Sequence, residues 1–475
     1  FSALVISLRN EGKSISDIAE KYINKRVRSL FFLVVFLGLL IVIAIFGLVI
    51  AIIFARFPYA VIPVWLEIPI AIWLGKQILS KPNSAVVATW TAKALMFATF
   101  FLGYLIPIKF GAMLGIPPTG VWTIILLLYA FIASILPVTT LLQPRDYLNA
   151  WQLYAVLAVL ILGTIATSFQ TELVMTAPAF NLNPEGAPLI WPFLCITIAC
   201  GAVSGFHSLV SSGMTSKQLS NEYDAKAIGY GSMLLEGGLA VLVIIAVTAG
   251  IGLAYESKTQ GLLTGLPAWT AHYSSWAASA GLGSKLDAVV IGASNLMNGI
   301  GIPITFGFVI MGVFIASFAG TTLDSATRIQ RYVITEIGES VNISWLKNKY
   351  AATAVAVISA AALAFSSGLN GKGALALWPL FGAVNQLLAS LALLIATLYL
   401  KRQGGLSFLV TLFPTLFMLV LTFWATSLNQ LTFFQSQQLI LIVLNGLILA
   451  AAILIMVESV VVLLKPMNKI RHKNK

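Results

Sequence analysis

Twelve long apolar runs restrict what this sequence can fold into. Each has about 18 or more residues, the length that an α-helix needs to cross about 30 Å of bilayer hydrocarbon. The chain is 59% hydrophobic and only 9% charged, unlike a soluble protein. We predict an all-α polytopic membrane protein with about twelve transmembrane helices, near 30–55, 58–79, 88–110, 121–142, 150–171, 189–213, 227–254, 287–320, 350–367, 374–400, 406–425 and 437–463.

The basic residues lie mostly between these runs, which predicts an orientation. The net charge is +12, but no soluble basic face is expected on which nucleic acid would bind. Most of the 28 Lys and Arg residues fall on one side if the residues before the first span are cytoplasmic. We therefore expect both ends of the sequence in the cytoplasm. The expected parts are a cytoplasmic segment 1–29 with an amphipathic helix, a transmembrane transport domain 30–463 and a basic cytoplasmic tail 464–475.

Ionisable residues inside predicted spans are candidates for function, because each costs on the order of 3 kcal/mol to insert. Glu67 and Lys93 lie at comparable depths in neighbouring spans, and either an ion pair or a role in transport explains them. Glu236 is either a proton-carrying carboxyl or a helix-packing group. Asp324 and Arg328 share a helical face at the inner boundary of a span. They are either solvated charges that cap the helix or an ion pair that takes part in gating.

A proline interrupts the predicted span that begins near residue 121. Pro137 would remove a backbone hydrogen bond, and Thr139 and Thr140 would place hydroxyls beside the freed carbonyls. A broken helix of this kind is a usual binding element of secondary transporters. The alternative is an ordinary proline kink.

The stretch "CGAVSGFHSLVSSGMTSKQ" is the most polar part of any predicted span. Ser204, Ser208 and Ser211 follow one another along one helical stripe, and His207 lies beside it. Gly201 and Gly205 form a pair that permits close approach of another helix. The stretch therefore predicts a substrate or cation site, close packing held by polar groups, or both.

His207 is the sole histidine in a predicted span, because His272 lies in a loop and His472 in the tail. A haem or metal site built from paired histidines is therefore not expected. No nucleophile has a plausible base on another helix. We expect a protein that is not an enzyme and has no metal or organic cofactor.

Five phrases in this sequence resemble, in order, the carbon-starvation protein A family of bacterial membrane transporters. They are "FSALVISLRNEGKSISDIAEKYI", "LQPRDYLNAWQLY", "CGAVSGFHSLVSSGMTSKQL", "EYDAKAIGYGSMLLE" and "LDSATRIQRY". The resemblance implies a secondary active importer of the inner membrane linked to carbon starvation, with peptides as the traditional substrates. For some members it implies pyruvate, with proton coupling.

The resemblance also implies a fold similar to the amino acid, polyamine and organocation superfamily, whose LeuT-like core is two inverted repeats of five helices. The Pro137 span is then similar to the broken first helix of the second repeat, and the His207 span to its third helix, which helps to bind cation. The broken helix of the first repeat would precede Phe1. Met214 replaces a threonine usual in the family, which leaves Ser211 and Ser212 as the better cation-binding candidates.

The leading hypothesis is a proton- or sodium-coupled importer of small peptides or pyruvate. The alternative is a transporter-like sensor that binds the nutrient without moving it. The oligomeric state and the choice of substrate do not follow from the sequence. The candidate substrate- or cation-binding residues are Ser204, His207, Ser208, Ser211 and Ser212, with Pro137, Thr139 and Thr140 facing them, and the candidates for proton coupling or gating are Glu67, Lys93, Glu236, Asp324 and Arg328.

Overall fold

The computed structural model is a bundle of helices with one small β-hairpin. It describes residues 1–181, 185–257, 260–273, 275–279 and 281–464. Within these ranges, 11 helical stretches are long and apolar enough to cross a membrane, and the helix Lys349–Ala364 is a shorter apolar one. The multi-pass α-helical architecture predicted from the sequence is therefore confirmed. The predicted basic tail lies outside the described residues, apart from Leu464.

Two short helices, α1 (Ser2–Leu8) and α2 (Ile15–Tyr22), precede the first span, α3 (Lys25–Arg56). Helix α2 begins where the Ser14 side chain accepts a hydrogen bond from the Asp17 backbone N–H. Its apolar residues are buried against α3, so the predicted amphipathic helix packs on protein. Arg28, at the start of α3, contacts Asp17 at 3.0 Å and Glu20 at 3.2 Å.

Helix α3 is the centre of the bundle. It is apolar on all sides, which is typical of a helix surrounded by other helices. A short 3₁₀ turn (Pro58–Ala60) and four further spanning helices follow α3. A second 3₁₀ turn (Pro82–Ser84) lies between the first and the second of these four helices. These are α4 (Val61–Ser80), α5 (Ala85–Leu105), α6 (Pro118–Ile135) and α7 (Leu142–Gln170).

Pro137 does not interrupt a helix, which contradicts the predicted break or kink at this position. Helix α6 ends at Ile135, and Leu136 is extended with ψ 149°, as the residue before a proline prefers. Helix α7 starts at Leu142, so Arg145, which the sequence places in a cytoplasmic loop, is a buried helical residue.

The break in this part of the chain lies in the next span, at Val203 and Ser204. Both residues are extended, with φ −139° and −109°. The span comprises a π-helical turn (Ile190–Leu194), α8 (Cys195–Ala202), α9 (Gly205–Gly213) and a 3₁₀ turn (Thr215–Lys217). The following span comprises α10 (Asp224–Lys226), a π-helical turn (Ala227–Gly231), α11 (Ser232–Ile245), a second π-helical turn (Ala246–Gly250) and α12 (Ile251–Leu253).

The β-hairpin follows, with β1 (Tyr255–Ser257) antiparallel to β2 (Gly261–Leu263) and Tyr255 opposite Leu263.

The predicted span at 287–320 is wrong as a single helix. Gly301 has φ +84° and Pro303 lacks an N–H, so the helix stops and restarts. The helices here are α13 (Gly265–His272), α14 (Trp276–Ser279), α15 (Leu282–Asn298) and the 37-residue α16 (Ile304–Ser340).

The last part of the described chain completes the bundle. Helix α16 packs along α3, and α19 packs against α3, α8, α9 and α20. The elements are a 3₁₀ turn (Ser344–Lys347), α17 (Lys349–Ala364), α18 (Gly373–Ala376), α19 (Trp378–Gln403), α20 (Leu409–Gln435) and α21 (Leu439–Leu464). Two sites result from this arrangement, one at the break between α8 and α9 and one where α4, α6, α7 and α16 meet.

Candidate functional site

At the break between α8 and α9, side chains rather than continuous helical hydrogen bonds satisfy the backbone polar groups. The Ser204 hydroxyl accepts from the His207 N–H at 3.5 Å, capping α9. Asn385, on α19, accepts from the Phe206 N–H at 2.8 Å and donates to Cys200 Sγ at 3.1 Å. A discontinuous helix with satisfied ends is thereby stable inside the bundle.

Glycine at position 205 brings α9 into contact with α19. A Cβ atom there would lie 2.2 Å from the Asn385 carbonyl oxygen and 2.4 Å from Leu388 Cβ. The predicted packing role of Gly205 is confirmed. At Gly201 an added Cβ meets no atom of the described residues within 4 Å, so the predicted packing role of Gly201 is wrong.

Beside this break lies a cavity of about 370 Å³, which we call the helix-break pocket. His207 and Ser211 reach it from α9, and Glu236 reaches it from α11. The pocket therefore brings an imidazole and a carboxyl from separate spans to one cavity. It is lined by Phe1, Ser2, Ala3, Leu4, Gly201, Ala202, Val203, Ser204, His207, Ser208, Val210, Ser211, Thr215, Ile228, Gly229, Ser232, Met233, Glu236, Ala389, Ala392 and Leu393.

The hydroxyls predicted for this site divide into two groups. Ser208 and Ser211 line the pocket and donate within α9, at 2.6 Å to the Gly205 and His207 carbonyls. Their oxygens keep lone pairs for a ligand. Ser212 is fully buried on another face, where its Oγ accepts from the Ile15 N–H at 3.2 Å. The structure thus places Ser212 in the packing between α9 and α2.

The structure does not bring Pro137, Thr139 and Thr140 to the helix-break pocket. These residues lie in the turn between α6 and α7, where a Cβ at Gly75 of α4 would lie 3.1 Å from the Thr139 carbonyl oxygen. None of the three lines the pocket.

The second site is a cluster of buried charges, which we call the Arg145 cluster. Its members are Glu67 of α4, Tyr129 of α6, Arg145 of α7 and Asp324 of α16. Arg145 Nη1 lies 2.6 Å from Asp324 Oδ2, and the Tyr129 hydroxyl donates to the same oxygen at 2.7 Å. The charged side chains are at most 2% exposed.

Glu67 belongs to the same cluster but is less tightly paired. Its Oε2 accepts from Ser317 Oγ at 2.7 Å, and its Oε1 lies 4.0 Å from Arg145 Nε. Among the described residues, neither Oε1 nor Nε has a hydrogen-bond partner. The Asp324 carboxylate is thus in short contact with the Arg145 guanidinium, whereas the Glu67 carboxylate lies 4.0 Å from it.

A polar stripe extends the cluster along α7. Arg145, Asn149 and Gln152 follow at helical spacing on one face. Asn149 Nδ2 donates to Thr321 Oγ1 on α16 at 2.7 Å. Neither polar atom of the buried Gln152 amide has a hydrogen-bond partner in the part of the chain that the structure describes, and this side chain also lines an apolar cavity of about 190 Å³.

Two other predicted residues lie outside these contacts. Lys93 does not pair with Glu67, since its Nζ lies over the rings of Trp151 and Trp90, 3.2 and 4.1 Å from their centroids. Arg328 does not pair with Asp324 but donates to the Ala133 carbonyl at 2.7 Å. The predicted solvated caps are wrong, because Asp324 and Arg328 are buried.

Sequence reasoning missed Arg145, Tyr129, Gln152 and Asn385. The adjacent charges of "PRDY", without a polar loop around them, were a signal that Arg145 lies in a span. Asn385 lies in "LWPLFGAVNQLLA", where an Asn-Gln pair interrupts an apolar run. Their partners lie far away in the chain, so no local pattern shows them.

Comparison with known proteins places the chain in a family. A family model, carbon starvation protein CstA, matches residues 1–425. The chain is 30% identical over 460 residues to the peptide transporter CstA of Campylobacter jejuni, 29% identical over 490 residues to the pyruvate/proton symporter BtsT of Escherichia coli, and 31% identical over 433 residues to the peptide transporter CstA of Bacillus subtilis.

These matches cover 89%, 90% and 86% of the chain. They cover 65%, 68% and 70% of the three relatives, so the chain spans about two thirds of the length of the proteins that it matches. The chain belongs to the carbon starvation protein CstA family.

Proposed function

We propose that this protein is a secondary active transporter that imports small peptides or pyruvate across the bacterial cytoplasmic membrane, coupled to a proton gradient. The relatives named peptide transporter and pyruvate/proton symporter support this choice of substrates and ion. Sodium is the alternative coupling ion. In the proposed orientation both ends of the sequence lie in the cytoplasm.

The observation that most directly supports this proposal is the helix-break pocket. Transporter substrates commonly bind where a helix is discontinuous, because backbone dipoles and polar side chains are free there. Ser204, His207, Ser208 and Ser211 offer donors and acceptors, and Glu236 offers a charge that suits the ammonium group of a peptide. A pocket of about 370 Å³ lies within the range of small-molecule sites.

The LeuT-like arrangement of two inverted repeats is part of the same proposal. The discontinuous α8–α9 span supports it, because unwound helices near the binding site are typical of that architecture. The position of the break differs from the one expected at Pro137. In our proposal the His207 span itself supplies the discontinuous helix.

The experiment is uptake by the purified protein in liposomes. Labelled pyruvate and a labelled dipeptide are offered separately, with an imposed proton or sodium gradient and without one. We expect the proton gradient to drive accumulation of one substrate. Saturable binding without gradient-driven accumulation would overturn transport and favour the nutrient sensor.

A pair of variants links the activity to the pocket. Glu236→Gln removes the pocket carboxylate and should reduce uptake, most strongly for the dipeptide. Glu172→Gln makes the same change at an exposed residue outside the pocket and should leave uptake unchanged. Equal uptake by both variants would remove Glu236 from the binding site.

A further inference from the structure

The Arg145 cluster contains an unbalanced charge. Glu67 and Asp324 are two buried carboxyl groups beside one guanidinium. Arg328, one turn along α16, is buried but donates to the Ala133 carbonyl of α6 at 2.7 Å and makes no ion pair with either carboxylate, and Asp146, next to Arg145, is exposed. Tyr129 is neutral, and Lys93 of α5 is over 4.0 Å from either carboxylate, against the Trp rings.

With both carboxyl groups ionised, two buried negative charges would share the Arg145 guanidinium, and one of them would lack a cation in short contact. Such a charge is costly inside a membrane protein, so the cluster favours binding of one positive charge.

Unpartnered polar atoms show where that charge fits. Glu67 Oε1 and Arg145 Nε face each other at 4.0 Å without a hydrogen bond, and no described residue is a hydrogen-bond partner of the Gln152 amide atoms. An ionised carboxylate beside a guanidinium normally closes to a short, charge-assisted contact. A gap of 4.0 Å is the geometry expected of a neutral carboxylic acid at Glu67. Asp324 accepts two hydrogen bonds at one oxygen, which stabilise it as the ionised partner.

The cluster does not suit a metal ion. A metal cation needs several oxygens directed at one point. Here the Arg145 guanidinium occupies the space between the two carboxyl groups and repels a second cation. A proton needs one carboxylate oxygen. Among the described residues, Glu67 Oε1 and Asp324 Oδ1 both lack a hydrogen-bond partner, but Asp324 is already in short contact with the Arg145 guanidinium, which leaves Glu67 Oε1 for the proton.

We propose that the Arg145 cluster is a single-proton site, with the proton on Glu67 Oε1, and that this proton is the coupling ion. The second statement rests on the proposed function. A hydronium ion on one side of the membrane transfers its proton to Glu67 Oε1, forming an O–H bond and leaving water. On the other side the proton passes to water, and Glu67 again carries a negative charge that attracts Arg145. Arg145 is a positioning residue that holds Asp324 ionised.

The first test measures the proton directly, without transport. Infrared difference spectra of the purified protein are recorded while the pH is raised, and the carbonyl stretch of a protonated carboxylic acid is followed. The wild-type protein should lose one such band that belongs to the cluster, identified as the band missing from the cluster variants. Glu67→Gln and Asp324→Asn should each abolish it, because one carboxylate then balances Arg145. Glu172→Gln, the exposed control, should keep it.

A structural role alone would not make two different carboxyl substitutions remove the same single band. If one variant fails to fold, the other still tests the prediction. A band that persists in both variants, or one that sodium ions displace in the wild type, would overturn the proton site.

The second test asks whether this proton is the coupling ion. If one proton accompanies each pyruvate, a pH difference of one unit should accumulate pyruvate about tenfold in liposomes. Glu67→Gln should reduce the accumulation ratio to one and keep exchange of labelled for unlabelled pyruvate. A wild type that shows the infrared band but no uptake would contradict the proposed function and leave the proton site standing. Gradient-driven accumulation by Glu67→Gln would overturn the coupling role.

Discussion

Gly320 of α16 lies directly against the guanidinium of Arg145. A Cβ atom at position 320 would come within 2.4 Å of Nη2, closer than real Cβ contacts. The absent side chain therefore makes the space in which the buried arginine reaches Asp324. A packing position that looks unimportant in the sequence determines where the charged cluster can form.

We predict that Gly320→Ala displaces Arg145 and weakens its contact with Asp324. Overpacking a buried site typically costs about 1 to 3 kcal/mol, which outweighs the roughly 1 kcal/mol that alanine gains over glycine in a helix. The measurement is thermal unfolding in detergent. The control is Gly237→Ala in α11, where an added Cβ meets nothing within 4 Å. A Gly320→Ala protein as stable as the control would show that the guanidinium has room to move.

The two glycines beside the helix break should respond in opposite ways to alanine. Gly205→Ala forces a methyl group against the α19 backbone, which cannot move aside as a flexible side chain can. We expect destabilisation of about 2 kcal/mol or more. Gly201→Ala, in the open pocket wall, should be neutral or stabilising by up to about 1 kcal/mol. The two unfolding temperatures check this, and equal shifts would contradict the close packing of α9 on α19.

His207→Ala should reduce uptake. His207 is the histidine that lines the helix-break pocket, where its ring nitrogens offer a hydrogen-bond donor and an acceptor. Uptake is measured for the wild type, His207→Ala and His207→Gln. Glutamine keeps a donor and an acceptor and should retain more uptake than alanine. Equal uptake by the wild type and His207→Ala would limit His207 to packing.

The β-hairpin should loosen as the pH falls. Burial, together with the charge of Arg56, lowers the pKa of His272, which lies 3.4 Å from the Tyr255 hydroxyl. Neutral His272 is favoured in the folded hairpin, while an exposed histidine takes up a proton near pH 6.5. The stability from this contact is therefore present above about pH 6.5 and lost below it.

Hydrogen exchange of the β1 amides tests this. After correction for the intrinsic rate, exchange should rise several-fold between about pH 7.5 and pH 5.5. In His272→Phe, which cannot titrate, the corrected rate should not depend on pH. Equal pH dependence in both proteins would show that another group controls the hairpin.

Much of the architecture could be predicted because each span carries its own signal. Long apolar runs identify helices whatever their neighbours are, and all twelve predicted spans correspond to helical regions. The errors occurred where the backbone changes direction. Pro137 looked like a break inside a span but follows the end of α6, and the run 287–320 hides the break before Pro303. Hydropathy is insensitive to such breaks, because glycine and proline are tolerated in apolar runs.

The partners of the charged residues could not be predicted in the same way. The sequence suggested an ion pair between Glu67 and Lys93, because the two residues lie at similar depths in their spans. Depth does not determine which faces of two helices are in contact. Arg145 lies between Glu67 and Asp324 because α4, α7 and α16 meet there, and Gly320 leaves room. Lys93 instead packs under two tryptophan rings.

By itself, the sequence determined that this chain is a multi-pass helical membrane protein of the carbon starvation family, since hydrophobic length and family motifs are local properties. The tertiary structure alone decided which polar groups meet. Inside a membrane protein a buried charge needs an opposite charge, a carbonyl oxygen or an aromatic ring beside it. Helix packing determines which partner that is. Arg145 and Asp324 are 179 residues apart in the chain, and they meet because α7 packs against α16.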